Sequence, residues 1–62
     1  MRYGTVTSWD PSIATGNIEE DGMSEHNVFP FHDSREFSAG DRVVFEVVDG
    51  VATDVDFLEV NK

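Results

Sequence analysis

The residues best equipped for chemistry stand together in mid-chain, in the run Asn27-Val28-Phe29-Pro30-Phe31-His32, the densest aromatic cluster of the sequence. Phenyl and imidazole rings present flat π faces. Such faces stack on nucleic-acid bases whatever the base, for about 1–3 kcal/mol each. Trp9 adds a larger ring near the start of the chain; at the end of a strand it suits a structural role as well as a binding one. Other chemistries lack their residues. No nucleophile and base are paired, and no glycine-rich loop is present to cradle a phosphate. The acidic runs Glu19-Glu20-Asp21 and Asp54-Val55-Asp56 lack the ligand spacing of a calcium loop and read as solvated faces. Cysteine is absent, which excludes disulfides and thiolate metal sites, and His26 and His32 would need carboxylates to complete a zinc site. His32 beside Asp33 reads as a surface histidine rather than an acid–base pair. The chain is therefore expected to be no enzyme and to carry no metal or cofactor.

The elements that must position these residues read as β. Residues 2–9 are rich in β-branched and aromatic types and predict a strand. Strict alternation puts Thr5, Thr7 and Trp9 on the face opposite Val6. Asp10-Pro11-Ser12 is a turn, with proline pre-set for its second position. Residues 13–20 predict a second strand: Ala14, Gly16 and Ile18 inward, Ile13, Thr15 and Asn17 outward. Glycine at position 16 implies a bend or a close backbone approach. Asp21-Gly22 opens a polar loop that runs to His26. In the third strand, with Val28 inward, Phe29 and Phe31 point outward, and two large exposed rings in so short a chain call for an explanation. Pro30 has no N–H, so its strand is expected at an edge, bulged or ending there. Asp33-Ser34-Arg35-Glu36 has the spacing of a short capping box and predicts one helical turn. Phe37 follows as a core plug, and Ala39-Gly40-Asp41 as a turn. Residues 42–48 are the clearest strand, with Val43, Phe45 and Val47 on one face. Asp49-Gly50 is a strong hairpin signal, and residues 51–60 form the fifth strand, Val51, Thr53, Val55 and Phe57 alternating with Ala52, Asp54, Asp56 and Leu58.

The chain has 62 residues, enough for one domain spanning 1–62. A domain this small buries only about 60% of its unfolded surface and is marginally stable. Five short strands with close-set turns predict an all-β fold, a five-stranded antiparallel barrel, because closure removes the edges an open sheet would expose. No apolar run is long enough to span a bilayer and no basic-plus-apolar leader is visible, so a soluble cytoplasmic protein, away from membranes, is the expectation. The 13 acidic residues against 4 basic ones give a net charge of −9. That is the wrong sign for a nucleic-acid binder. It suits a halophilic protein instead: at about 1 M salt the Debye length falls to about 3 Å and self-repulsion is screened.

Taken in order, these stretches resemble the cold-shock domain, a five-stranded OB-fold. The resemblance rests on Gly4-Thr5-Val6 with Trp9 after it, Gly16-Asn17-Ile18-Glu19, Val28-Phe29-Pro30-Phe31-His32, and Ala39-Gly40-Asp41-Arg42-Val43-Val44-Phe45-Glu46-Val47, with Ala52 and Val55 beyond. It covers nearly the whole chain. It implies an antiparallel OB-fold barrel that binds single-stranded RNA or DNA and acts as an RNA chaperone without catalysis. The family's first strand ends in Trp-Phe where this chain has Ser8-Trp9. Its second-strand ribonucleoprotein motif, Lys-Gly-Phe-Gly-Phe-Ile, reads here Ile13-Ala14-Thr15-Gly16-Asn17-Ile18. Thr15 and Asn17 thus replace two stacking phenylalanines, and the lysine is lost. The third-strand motif, Val-Phe-Val-His-Phe, is kept with His and Phe exchanged, and the loop after it is short.

The resemblance implies nucleic-acid binding by stacking on Trp9, Phe29, Phe31 and His32. Thr15 and Asn17 would supply polar contacts to base edges or 2′-hydroxyls, and Arg35 would hold phosphate. The alternative is an acidic protein-interaction module on the same fold, whose exposed rings anchor a basic protein partner. A monomer is expected in either case.

Overall fold

The computed structural model describes residues 1–22 and 27–58. The expected polar loop through 23–26, the end of the fifth strand at 59–60 and Lys62 lie outside the described residues. Alternating β-branched residues give five strands: β1 (Arg2–Asp10), β2 (Thr15–Glu20), β3 (Val28–His32), β4 (Arg42–Val48) and β5 (Val51–Phe57). They close into a barrel in the order β1-β2-β3-β5-β4. The β4–β5 hairpin turns on Asp49 and Gly50, with φ of 52° and 77°. Two successive positive φ values are what a turn matching the twist of its strands requires.

The strands are mostly antiparallel, but β3 and β5 run parallel through the pair Phe31↔Ala52. This corrects the expectation of a purely antiparallel sheet. The reason is topological: around a closed ring with an odd number of strands, directions cannot alternate throughout. At least one neighbouring pair must be parallel.

The second strand starts at Thr15 rather than at residue 13, because the turn before it is longer than Asp10-Pro11-Ser12. The Asp10 carboxylate accepts hydrogen bonds from Ser12 N (3.0 Å) and Ser12 Oγ (2.6 Å), and Ala14 takes a φ of 53°. These bonds from Ser12 hold the Asp10 carboxyl below its usual range. The expected helical turn over residues 33–36 does not form; no helix occurs among the described residues. The Asp33 side chain does cap a backbone N–H, that of Arg35 at 2.8 Å, but the Arg35 side chain folds back onto the same carboxylate instead of letting a helix propagate.

The core comprises Val6, Ile18, Phe31, Phe37, Val43, Phe45, Ala52 and Val55, with Trp9, Phe29 and Val47 packed against it. Two irregularities decide which side chains reach it. In β1 the register shifts between Val6↔Ile18 and Ser8↔Asn17, so Thr7 is an extra residue. Such a bulge reverses the alternation, and Trp9 joins Val6 on the inner side. In β5 the register against β4 shifts between Val44 and Glu46, opposite a stretch in which Asp54 has a φ of 51°. Val55 therefore faces inward with Ala52, although strict alternation puts the two on opposite faces. Gly16 meets its expectation of a close approach. A Cβ there would lie 2.4 Å from Ser8 O and 2.8 Å from the Trp9 ring.

Candidate interaction surface

Three of the residues singled out from sequence come together on the outer side of β2 and β3. Thr15 lies opposite His32, and Asn17 lies opposite Pro30 on one side and Ser8 on the other. Asn17 Nδ2 donates to Ser8 Oγ at 3.0 Å, and Thr15 Oγ1 donates to Ile13 O at 3.0 Å. Glu19 and Val28 continue this face one row further on. It is a small polar surface with an exposed imidazole.

The other four are placed elsewhere. Phe31 is 1% exposed and Phe29 is half-buried, whereas Val28 is 49% exposed. The third strand thus presents the opposite face from the one expected. The cross-strand partners explain why: Phe29 lies opposite Ile18 and Phe31 opposite Gly16, and directly opposed residues share a face. Each phenyl ring carries about 150–250 Å² of surface, so turning both rings inward buries far more apolar area than turning in Val28 and Pro30. Phe31 packs 5.3 Å from Trp9 and 5.1 Å, edge-on, from Phe37. Phe29 lies 6.2 Å from Phe45. Trp9, expected outward, is turned in by the bulge at Thr7. Its Nε1 is buried without a hydrogen-bond partner among the described residues. Of the stacking platform expected from Trp9, Phe29 and Phe31, Phe31 is closed off from solvent and Trp9 and Phe29 are only partly exposed.

Arg35, expected to hold phosphate, is held by the chain itself. Its Nε and Nη2 donate to the two oxygens of Asp33 at 3.1 and 2.9 Å, and Nη1 donates to Asp56 Oδ1 at 2.9 Å. Nη2 also donates to Val55 O. The guanidinium lies 5.5 Å from the Phe37 ring centre and 5.6 Å from that of Phe57. Asp33 and Asp56 raise the Arg35 pKa further, and the same contact keeps the Asp33 carboxyl below its usual range. The remaining arginines are closed in the same way, Arg2 on Glu20 at 3.0 Å and Arg42 on Asp21. Among the described residues, every arginine is paired with a carboxylate.

Sequence reasoning passed over the outer side of β1, β4 and β5. There Tyr3 lies opposite Val44, and Val48 opposite Val51. Tyr3, Val48 and Val51 are 47%, 57% and 41% exposed. The signal was present in Arg42-Val43-Val44-Phe45-Glu46-Val47-Val48: assigning Val43, Phe45 and Val47 to the core leaves Val44 and Val48 on the solvent side. Comparison with protein families, with curated proteins and with solved structures finds no match to this chain.

Proposed function

We propose that this chain is a non-catalytic interaction barrel of the OB-fold type, acting as a cytoplasmic monomer that docks a positively charged protein partner. The observation that carries this reading is the pairing of Arg2, Arg35 and Arg42 with Glu20, Asp33, Asp56 and Asp21. With its described arginines neutralised locally, a chain of net charge −9 presents an exterior that attracts cations and repels phosphates. The inward turn of Phe29 and Phe31 supports the same conclusion, since it withdraws the Phe31 ring wholly and the Phe29 ring in part from bases that would stack on them. The strand order β1-β2-β3-β5-β4 supports the OB-fold reading and, with it, the likeness to cold-shock domains. The charge supports a halophilic setting.

One observation favours a second reading, single-stranded RNA or DNA binding. In OB-folds the face of the second and third strands is the one that takes oligonucleotides, and here that face gathers Thr15, Asn17 and His32. Binding would rest on hydrogen bonds and one imidazole, without cation or phenyl stacking.

Calorimetric titration separates the two. A lysine-rich peptide is expected to bind saturably in dilute buffer, and a pyrimidine-rich single strand to give no saturable signal there or at molar salt. Saturable oligonucleotide binding that His32→Ala weakens, with no response to the peptide, would overturn the docking reading and establish the second.

A further inference from the structure

Resting on the docking reading above, we propose that the partner is an amphipathic segment, lysine or arginine beside aliphatic side chains, seated on the outer side of β1, β4 and β5. The face is built from rows across the strands. Tyr3, Val44 and Asp56 form one row, Glu46 and Thr53 the next, and Val48 and Val51 the last. Apolar groups lie at both ends of this ladder; of the carboxylates in its rows, Asp56 is held by Arg35 and Glu46 lies 3.7 Å from the Met1 ammonium. The Asp49 carboxylate at the hairpin tip has no partner among the described residues, whereas Asp54 lies with His32, Asp33 and Arg35 on the side of the β3–β5 seam. Arg42, the cation at the far end of the face, is already held by Asp21.

The chemistry of the occupant follows from this pattern. The paired Val48 and Val51 at one end, and Tyr3 beside Val44 at the other, lose water only against aliphatic or aromatic side chains. The Asp49 carboxylate beside Val48, on a body of net charge −9, then requires a cation from the same segment, since a buried unpaired charge is costly. The molecule already uses this pairing within itself, where Asp33 and Asp56 grip the Arg35 guanidinium against Phe37 and Phe57. A second copy of the chain does not fit: it would set Glu46, Asp49 and Asp56 against their own counterparts, on a body of charge −9. The other exposed face does not offer the combination either. Its rows carry Thr15, Asn17, Pro30 and His32, and its two exposed large apolar residues stand apart, Ile13 in the turn before Thr15 and Val28 at the far end opposite Glu19. The apolar rows also give the site a salt tolerance that charge alone lacks, because molar salt screens ion pairs and leaves apolar contact in place.

The test uses two synthetic peptides of equal charge, one amphipathic with leucine and lysine, one of lysine and glycine, titrated at low and at molar salt. Both are expected to bind at low salt and the amphipathic one alone at molar salt. Val48→Ser with Val51→Ser should weaken the amphipathic peptide by about tenfold or more, from the loss of two apolar contacts. Tyr3→Ser should act in the same direction, and Val28→Ser on the opposite face should leave binding unchanged. All sites are exposed, and each variant is checked by circular dichroism for its fold. Undiminished binding by the Val48/Val51 and Tyr3 variants overturns this face while leaving the docking reading intact. No binding of either peptide overturns both. Self-association in sedimentation, abolished by the Val48/Val51 variant, assigns the face to a second copy and overturns the basic partner.

Discussion

The barrel is closed at two places by different means. Between β1 and β4 the backbone does it, through the register Arg2↔Phe45, Tyr3↔Val44, Gly4↔Val43 and Thr5↔Arg42. Between β3 and β5 there is the single parallel pair Phe31↔Ala52, and side chains supply the rest. Phe57 stacks on Phe37 with ring centres 4.6 Å apart. Arg35 reaches across from the β3–β4 connection to Val55 O and Asp56. The open backbone at this seam is also withheld from other chains. Pro30 has no N–H to offer a foreign strand, and Arg35 occupies the carbonyl of Val55. Where the backbone closes the barrel, the outward side chains Tyr3 and Val44 remain available for a partner. Where side chains close it, Arg35 and the acids around it are used internally. An arginine that resembles a phosphate ligand in the sequence is a fastener in the fold.

The most severe way to break this comparison is to remove the ring at the seam. Phe31→Ala leaves a cavity beside Trp9 and Phe37 and should cost about 3–5 kcal/mol. At about 0.05–0.15 kcal/mol per residue, a chain this short has little more to lose, so the variant should lose its cooperative urea transition. A ring pointing into solvent would instead tolerate the change to within about 0.5 kcal/mol. A smaller effect sharpens the contrast between the two closures. Arg35→Met removes hydrogen bonds to two carboxylates and a carbonyl and should cost about 1–2 kcal/mol, moderated by the partial exposure of the guanidinium. Arg2→Met removes one pair, to Glu20, from a region the β1–β4 ladder already holds, and should cost less than about 1 kcal/mol. Urea midpoints give the order of the two. Hydrogen exchange gives the place: in Arg35→Met the amides of β5 near Val55 should exchange faster while those of β1 keep their protection. Equal losses with uniform exchange would mean that the seam has no clasp.

The strands were legible in the sequence and their faces only partly so. Residues 42–48 and the Asp49-Gly50 turn read correctly because alternation is unbroken there and the turn residues tolerate positive φ. Phe37 as a core plug and Ile18 as an inward residue also read correctly. The failures cluster where local pattern is overruled. The bulge at Thr7 and the left-handed Asp54 each invert the alternation by one residue, and nothing in the types of Thr7 or Asp54 announces it. In β3 the pattern allowed two answers, Val28 inward or Phe29 and Phe31 inward, and only the partners Ile18 and Gly16 across the ladder decide between them. The site followed the faces. Thr15 and Asn17 sit where expected because β2 reads correctly through Ile18, and His32 joins them because the slip that turns Phe29 and Phe31 inward turns it outward. Trp9, Phe29 and Phe31 do not, because a one-residue slip carries a whole strand to its other side. The pairing of Arg35 with Asp56 was beyond reach, since it joins segments 21 residues apart.

Charge at the seam gives a subtler test. The hydrogen bonds from Arg35 hold the Asp33 carboxyl below its usual range. A carboxyl depressed in the folded state stabilises the fold at any pH above its unfolded value, about 3.9. That contribution is lost as the pH falls through the folded value. Asp33→Asn removes it. The stability gap between the native chain and this variant should therefore be constant near neutrality and narrow as the pH drops below about 4. Carboxylates that do not touch Arg35 cancel in the difference. Parallel urea midpoints across the acid range would mean that Asp33 gains nothing from Arg35.

The smallest expected effect lies at Trp9, on the other side of the same aromatic stack. Its ring packs 5.3 Å from both Phe31 and Phe37, while its Nε1 is buried with no partner among the described residues. An orphaned donor costs about 1–3 kcal/mol, and replacing the larger ring by a phenyl sacrifices a comparable amount of packing. Trp9→Phe sets these against each other, so its urea midpoint should stay within about 0.5 kcal/mol of the native value. Trp9→Ala relieves the same donor but forfeits the ring and should fall much closer to Phe31→Ala. A large loss in Trp9→Phe would mean that the indole N–H is satisfied in solution, and the seam would then owe part of its stability to a bond at Nε1.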